Sequence, residues 1–234
     1  MSKINSSIWT SDLGLISYSE AFELQQKLRL LRIQKKIPNL FLFVSHPPVF
    51  TLGKRPCEED FLSPKDKVLE AGIEIQQSNR GGKITYHGPG QIVGYFIFDL
   101  RFFKLSIPTF VEKIEEILIQ TLEEVGLKAH RDPEYPGVWL ENKKIAALGL
   151  HFDRGVSMHG FALNVNPDLK YYQHIIPCGI QGREVTSLKN QNIFVEETEM
   201  KKRLLEKMEK IFGGKLETLR PVEIYSEVSK LCDF

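Results

Sequence analysis

Cys178 stands in Ile175-Ile176-Pro177-Cys178-Gly179-Ile180, behind a proline that stiffens the approach and before a glycine that leaves space in front of the sulfur. A thiol in such a turn is a nucleophile where a nearby cation favours the thiolate, and otherwise a small buried hydrophobe. Lys143-Lys144 lead into the apolar run Ile145-Ala146-Ala147-Leu148-Gly149-Leu150, and a lysine entering such a strand could be drawn towards a pocket. Only one of the two needs to point inward, and strand alternation does not say which. The plain alternative is a solvated pair of charges at a turn.

A second stretch rich in chemistry runs Arg80-Gly81-Gly82-Lys83-Ile84-Thr85-Tyr86-His87-Gly88-Pro89-Gly90-Gln91-Ile92-Val93-Gly94-Tyr95. Gly81-Gly82 and Gly88-Pro89-Gly90 each favour a sharp turn. Closely spaced amides beside side-chain-free glycines let a carbonyl or carboxylate touch backbone, so Gly81, Gly82 and Gly179 are candidate oxyanion donors. A tight hairpin with a hydrogen-bonded His87 is the reading without a ligand.

Other chemistries find no support. His46, His87, His130, His151, His159 and His174 are scattered without metal-ligand spacing, so no metal and no cofactor is expected. Neither a GxxxxGK[ST] loop nor a strand–GxGxxG–helix unit is present, and no GxSxG elbow. Lys+Arg 31 against Asp+Glu 30 leaves a net charge of +1, which gives no global pull toward nucleic acid. Lys54 and Arg55 form a local basic patch that could dock an acidic partner. Three cysteines without a CxxC pair suit a reducing compartment better than a disulfide framework. Met1-Ser2-Lys3-Ile4-Asn5 has neither a signal-peptide core nor an Arg-rich transit pattern, and no apolar run reaches membrane-span length, so a cytoplasmic protein is expected.

The elements that must hold these residues follow from spacing. Ser17 with Glu20 fits a capping box, and Ala21, Leu24, Leu28 and Leu31 continue a helix that ends before Pro38. Strands are expected at 41–44 and 49–53. A polar loop follows at 54–63, then a helix with Pro64 at its first position and Gly72 closing it, and a strand at 73–75. Ile92 to Phe98 reads as a buried strand. Pro108 opens a long amphipathic helix to Gly126, with Phe110, Ile114, Ile117, Leu118, Leu122 and Val125 on one face. Strands at 138–140, 145–152 and 158–165 follow, the last two joined by Asp153-Arg154-Gly155. Residues 166–195 read as irregular, and Glu196 to Phe212 as the last helix. Its 234 residues, 42% hydrophobic, suit one large domain, 1–234. Helices interrupted by hairpin-like strand pairs imply an α+β fold with a mixed, largely antiparallel sheet and flanking helices.

Five segments, His46 to Gly53, Arg80 to Tyr95, Lys144 to Leu150, His159 to Val165 and Pro177 to Ile180, together and in this order resemble the lipoyl(octanoyl) transferase family. Its fold is similar to that of the biotin and lipoate protein ligases, which is class II synthetase-like. The resemblance implies transfer of an octanoyl group from octanoyl-acyl carrier protein to a lysine of lipoyl domains, such as those of 2-oxoacid dehydrogenases and the glycine cleavage H protein. It implies a cysteine acyl-thioester intermediate, no ATP, no nucleic acid and no membrane. By the same resemblance Cys178 carries the acyl group and Lys144 favours its thiolate. Arg80, Gly81, Gly82, Lys83, Ile84, Thr85, Tyr86 and His87, then Ala147, Leu148 and Gly149, then Gly160, Phe161 and Ala162, line the substrate. Apolar strands would wall a tunnel for an eight-carbon chain, with about 0.8 kcal/mol for each methylene buried. An ATP-dependent ligase of the same fold, which lacks the cysteine, is the alternative; the rival of another class is a non-catalytic acyl-binding module, which needs neither Cys178 nor Lys144, or an amidotransferase-like relative acting on another carrier.

Overall fold

A computed structural model describes residues 7–56, 58–180 and 182–232. The expectations for residues 1–5 and for Cys57 lie outside these, as does the side chain of Cys232. In chain order the elements are β1 (Ser7–Leu15), α1 (Tyr18–Ile33), β2 (Asn39–Ser45), β3 (Val49–Leu52), α2 (Lys65–Glu70), β4 (Glu74–Gln77), β5 (Ile84–His87), β6 (Gln91–Ile97) and α3 (Leu100–Phe103). There follow α4 (Ile107–Glu123), β7 (His130–Arg131), β8 (Gly137–Leu140), β9 (Lys143–Asp153), β10 (Val156–Asn164), β11 (Glu184–Val185), α5 (Glu197–Phe212), β12 (Lys215–Thr218) and α6 (Pro221–Cys232).

The main sheet runs β12-β1-β2-β6-β10-β9-β8-β7, with β11 added to β9. Its β12-β1-β2 end is parallel, the β2-to-β7 part antiparallel, and β11 parallel to β9. A smaller sheet, β4-β3-β5, carries the glycine-rich segment. The fold is the mixed α+β arrangement expected. Helices cover both faces of the main sheet. On one side α4 and α5 pack Phe110, Ile114, Leu118, Met200 and Leu204 over Phe41, Phe96 and Phe161. On the other, α1 and α6 pack Leu24, Leu28, Ile224 and Val228 over Leu40, Leu42 and Val93.

The local signals act as their chemistry requires. The Ser17 hydroxyl accepts from the Glu20 N–H (3.2 Å) while the Glu20 carboxylate accepts from the Ser17 N–H (3.1 Å), closing the capping box of α1. The Ser106 hydroxyl caps α4 by accepting from the Thr109 N–H (3.2 Å), so the helix starts at Ile107, one residue before Pro108. Pro64 stands just before α2 rather than in its first turn. Glu197–Phe212 is not the last helix, because β12 and α6 follow it, and β1 is an additional strand. Residues 166–195 are irregular except for β11 and three short 3-10 turns, and β11 matters most for the site.

Candidate active site

Strand β11 pairs Glu184 with Lys143 and Val185 with Lys144, and the Thr186 N–H bonds the Lys144 carbonyl at 2.9 Å. This returns the chain to β9 just after the Pro177–Gly179 turn, so residues 34 apart in sequence become neighbours. Lys144 Nζ stands 3.7 Å from the Cys178 sulfur. The lysine pair is thereby resolved. Lys143 points out to Glu184 with its side chain 43% exposed, whereas Lys144 is 6% exposed.

Three features surround the Lys144 ammonium. It donates to the Pro136 carbonyl at 3.1 Å, faces the Cys178 sulfur, and lies 4.7 Å from the centre of the Trp139 ring. An ammonium has three N–H groups, and these contacts hold it with no carboxylate of the described residues in direct contact.

The turn that carries Cys178 is tied down on two sides. Ile176 N–H donates to the Asp60 carbonyl at 2.7 Å, and Leu62 N–H to the His174 carbonyl at 2.8 Å. From the glycine-rich side Lys83 passes over Gly179 to reach Asp60 at 3.1 Å, and a Cβ on Gly179 would lie 2.4 Å from Lys83 Cδ. That hydrogen bond to Asp60 is the main reason Lys83 titrates above the usual lysine range. Cys178 itself has φ 58°, in the left-handed region that non-glycine residues occupy at a cost of about 1–3 kcal/mol.

Cys178 borders two cavities. One, of about 40 Å³, is lined by Tyr18, Arg80, Gly82, Thr85, His87, Tyr95, Ala147, Leu148, Gly149, His159, Gly160, Phe161 and Ala162. The other, of about 400 Å³, is shared by Arg55, Gly81, Lys83, Tyr135, Pro136, Lys144, Leu150, Phe152 and Ile180, among others. The smaller has room for about three waters. An eight-carbon chain enters it only as its lining side chains part, so the tunnel expected from sequence is not standing open.

The residues expected from sequence distribute over these spaces in different ways. Arg80, Thr85, His87, Ala147, Gly160, Phe161 and Ala162 line the smaller cavity, Gly81 and Lys83 the larger, and Gly82, Leu148 and Gly149 border both. Ile84 and Tyr86 turn into the core of the small sheet with Phe50, Val68 and Tyr172. The Arg80 guanidinium is committed to the fold, donating to the Thr51 hydroxyl at 2.9 and 3.1 Å and to the Gly81 carbonyl at 3.0 Å. Two of the three amides considered as oxyanion donors are spent: Gly81 N–H on the Leu150 carbonyl (2.9 Å) and Gly179 N–H on the Ile176 carbonyl (3.0 Å).

Sequence reasoning did not single out Tyr18, Tyr95 and His159 as lining residues, nor His46 behind them. His46 Nδ1–H donates to the Ile16 carbonyl (2.8 Å), so its Nε2 accepts from the Tyr95 hydroxyl (2.8 Å). Burial pushes His46 down to about 4 and His159 down to about 3, and it holds His87 well below the usual histidine range. This part of the wall is therefore neutral and aromatic, and the Arg80 guanidinium borders the same cavity. His46, Tyr95 and His159 lie inside the segments that carry the family resemblance. Tyr18, at the start of α1, sits in no motif.

No cluster of His, Cys, Asp or Glu among the described residues could hold a metal ion. Residues 17–209 match the family described as lipoyl protein ligase A/B catalytic domain. An octanoyltransferase of Desulforamulus reducens is 48% identical over 196 residues, 83% of this chain and 85% of its own. One from Caldicellulosiruptor saccharolyticus is 42% identical over 206 residues, 87% and 88% of the two chains. A solved lipoate-protein ligase A bound with ATP superposes with a TM-score of 0.72 over 98% of this chain and 94% of its own, at 16% identity, which speaks to the fold alone.

Proposed function

The chain belongs to the lipoyl protein ligase A/B catalytic family, and from that membership we propose that Cys178 and Lys144 are the pair through which it moves an octanoyl group from a thioester donor to a lysine amine. It is an acyltransferase of the octanoyltransferase group. The observation that carries the assignment of the pair is the 3.7 Å separation of Lys144 Nζ and Cys178 Sγ at the meeting of two cavities.

The chemistry closes on itself. The Cys178 thiolate attacks the donor carbonyl, the carbon–sulfur bond to the carrier breaks, and the Lys144 ammonium protonates the departing carrier thiolate. The enzyme then holds an octanoyl thioester and a neutral Lys144. A neutral acceptor amine attacks that thioester and gives its extra proton to Lys144 as the amide forms. Cys178 leaves as thiolate, and the starting ion pair is restored. Thioester exchange is close to neutral in energy, so ATP has no step to drive.

The smaller cavity takes the acyl chain, and the larger admits the carrier thiol and later the acceptor lysine. Of the residues implied by the family, Gly82, Thr85, His87, Ala147 to Gly149 and Gly160 to Ala162 contact the chain, and Gly81 and Lys83 frame the larger opening. Ile84 and Tyr86 shape the hairpin from behind, and Arg80 shapes it from the wall of the smaller cavity. In this reading the donor is octanoyl-acyl carrier protein, with Lys54 and Arg55 on the rim, and the acceptors are lipoyl domains of 2-oxoacid dehydrogenases and the glycine cleavage H protein. Residues 1–234 act as one catalytic domain in the cytoplasm. Among the described residues no helix is long and apolar enough to cross a membrane. An ATP-dependent ligase is the weaker reading, having no use for the cysteine.

Intact-mass measurement after mixing the protein with octanoyl-acyl carrier protein tests the assignment. One octanoyl group is expected, and peptide mapping places it on Cys178. An octanoyl group on Cys57, on Cys232 or on no cysteine overturns it.

A further inference from the structure

We infer that Glu115 is a positioning residue that aims the Lys144 ammonium at Cys178 through a single peptide group, the one joining Pro136 to Gly137. This rests on the proposed pairing of Lys144 with Cys178.

Glu115 is out of place by its surroundings. It lies on the inward side of α4 with Ile114, Ile117 and Leu118 and is 5% exposed. A carboxylate there is costly unless it is bonded, and burial pushes its pKa above the usual range. Its two oxygens are both engaged. Oε1 accepts from the Gly137 N–H at 2.9 Å, and Oε2 is 3.3 Å from Arg131 Nε. Arg131 is held in turn by the Glu112 carbonyl and the Glu116 carboxylate.

The N–H of Gly137 and the C=O of Pro136 are the two ends of one peptide plane. They point in opposite directions because the peptide is trans. Glu115 grips the N–H end, and the C=O end accepts from Lys144 Nζ at 3.1 Å. The sequence carboxylate–N–H–C=O–ammonium aligns the peptide dipole between opposite charges, so each hydrogen bond is charge-assisted and strengthens the other. The peptide also lies hard against the lysine stem. Gly137 has φ +136°, and a Cβ there would fall 2.7 Å from the Ala146 carbonyl oxygen and 3.2 Å from Lys144 Cε. A rotation of this peptide would therefore move the ammonium.

The remainder of the turn has braces besides the contact of Glu115 with Arg131. Asp132 accepts from the Glu134 N–H (2.9 Å) and the Tyr135 N–H (3.1 Å), and Arg183 pairs with Asp132 at 3.1 Å. Glu115 is then the contact that sets the angle of the last peptide, not the one that folds the turn.

The test is a double-mutant cycle between Glu115→Ala and Lys144→Ala, reading kcat and KM for octanoyl-acyl carrier protein alongside thermal stability. Glu115→Ala is expected to lower kcat at least about tenfold with KM little changed, and to add no further loss on the Lys144→Ala background. Glu115→Gln retains an oxygen that can accept the Gly137 N–H and should recover most of the rate, to within about threefold. Should Glu115→Ala not fold, Glu115→Asp, which withdraws the carboxylate by one methylene, takes its place in the cycle with the same expectation. Losses that add on the Lys144→Ala background, or lowered stability with kcat intact, overturn the inference. A wild-type protein whose Cys178 stays unacylated would instead overturn the functional reading beneath it.

Discussion

Gly160 approaches Gly94 so closely that a Cβ on Gly160 would lie 2.2 Å from the Gly94 carbonyl oxygen. The obstacle is backbone in the neighbouring strand β6, which cannot swing aside as a side chain could. Gly160 belongs to the segment that the family resemblance assigns to substrate, but its lack of a side chain is explained by sheet packing alone. Gly160→Ala is expected to destabilise the protein by at least about 1–3 kcal/mol, the range for overpacking. Denaturant unfolding of this variant, with Gly155→Ala at the hairpin tip for comparison, measures the effect. An unfolding midpoint equal to the parent's would mean the two strands are not so tightly apposed.

Acid should unfold the protein through its histidines. His46 and His159 titrate near 4 and 3, each chiefly through burial, and His87 is also shifted well down from 6.5. The folded state keeps them neutral while the unfolded chain protonates them around 6.5. Their contribution to stability is complete above that pH and is lost as pH falls from there through their folded values. The slope is about 1.4 kcal/mol per pH unit for each histidine between the two limits. Urea unfolding from pH 7 to pH 5 should follow it, and a His159→Gln chain should be less steep. A flat stability across that interval would exclude neutral burial.

Removing the ammonium should slow chemistry while leaving the thiol in place. Lys144→Ala is expected to reduce octanoyl transfer by roughly 10²–10⁴-fold at neutral pH, with partial recovery in alkali, since hydroxide can generate the thiolate that the lysine no longer favours. Adding ATP should change neither rate. Stopped assays with octanoyl-acyl carrier protein, with and without ATP, decide both points.

Filling the smaller cavity should shorten the preferred chain. Ala147 lines it from β9, where it pairs with Ala162 of β10. With Ala147→Leu, each methylene denied its place costs about 0.8 kcal/mol, close to a fourfold loss. Hexanoyl should gain on octanoyl accordingly. An unchanged ratio of the two would place the acyl tail elsewhere.

Much of the scaffold could be read from sequence because its signals are local. Ser17 and Glu20 lie one turn apart, the face of α4 repeats every three or four residues, and paired glycines mark the turns of the 80–95 segment. The rest depended on contacts between distant positions. The choice between Lys143 and Lys144 needed the register of β9 against β8 and β11. Ser7–Leu15 mixes polar and apolar residues irregularly, as suits a strand with Asp12, Gly14 and Leu15 exposed, so β1 gave no alternation to detect. Gly213-Gly214 reads as an ending, yet β12 follows it directly. Glu115 looks like a stray charge on an apolar helix until Gly137, 22 positions later, is seen to bond it. Five segments of the site were recognisable by their order, whereas the neutral wall of Tyr18, Tyr95 and His159 emerged only from geometry.

A single sulfur facing both hollows has a kinetic meaning. On the proposed reading the acyl chain can stay seated in the narrow space while its partner in the wide one is exchanged, so donor and acceptor use one doorway in turn and never together. Initial rates measured against both substrates should then give parallel double-reciprocal lines. Acceptor in excess should compete with donor for the unacylated enzyme. The half-reaction should run to a stable acylated protein with no acceptor present, and that protein, isolated, should pass its load to a lipoyl domain with no donor left in the tube.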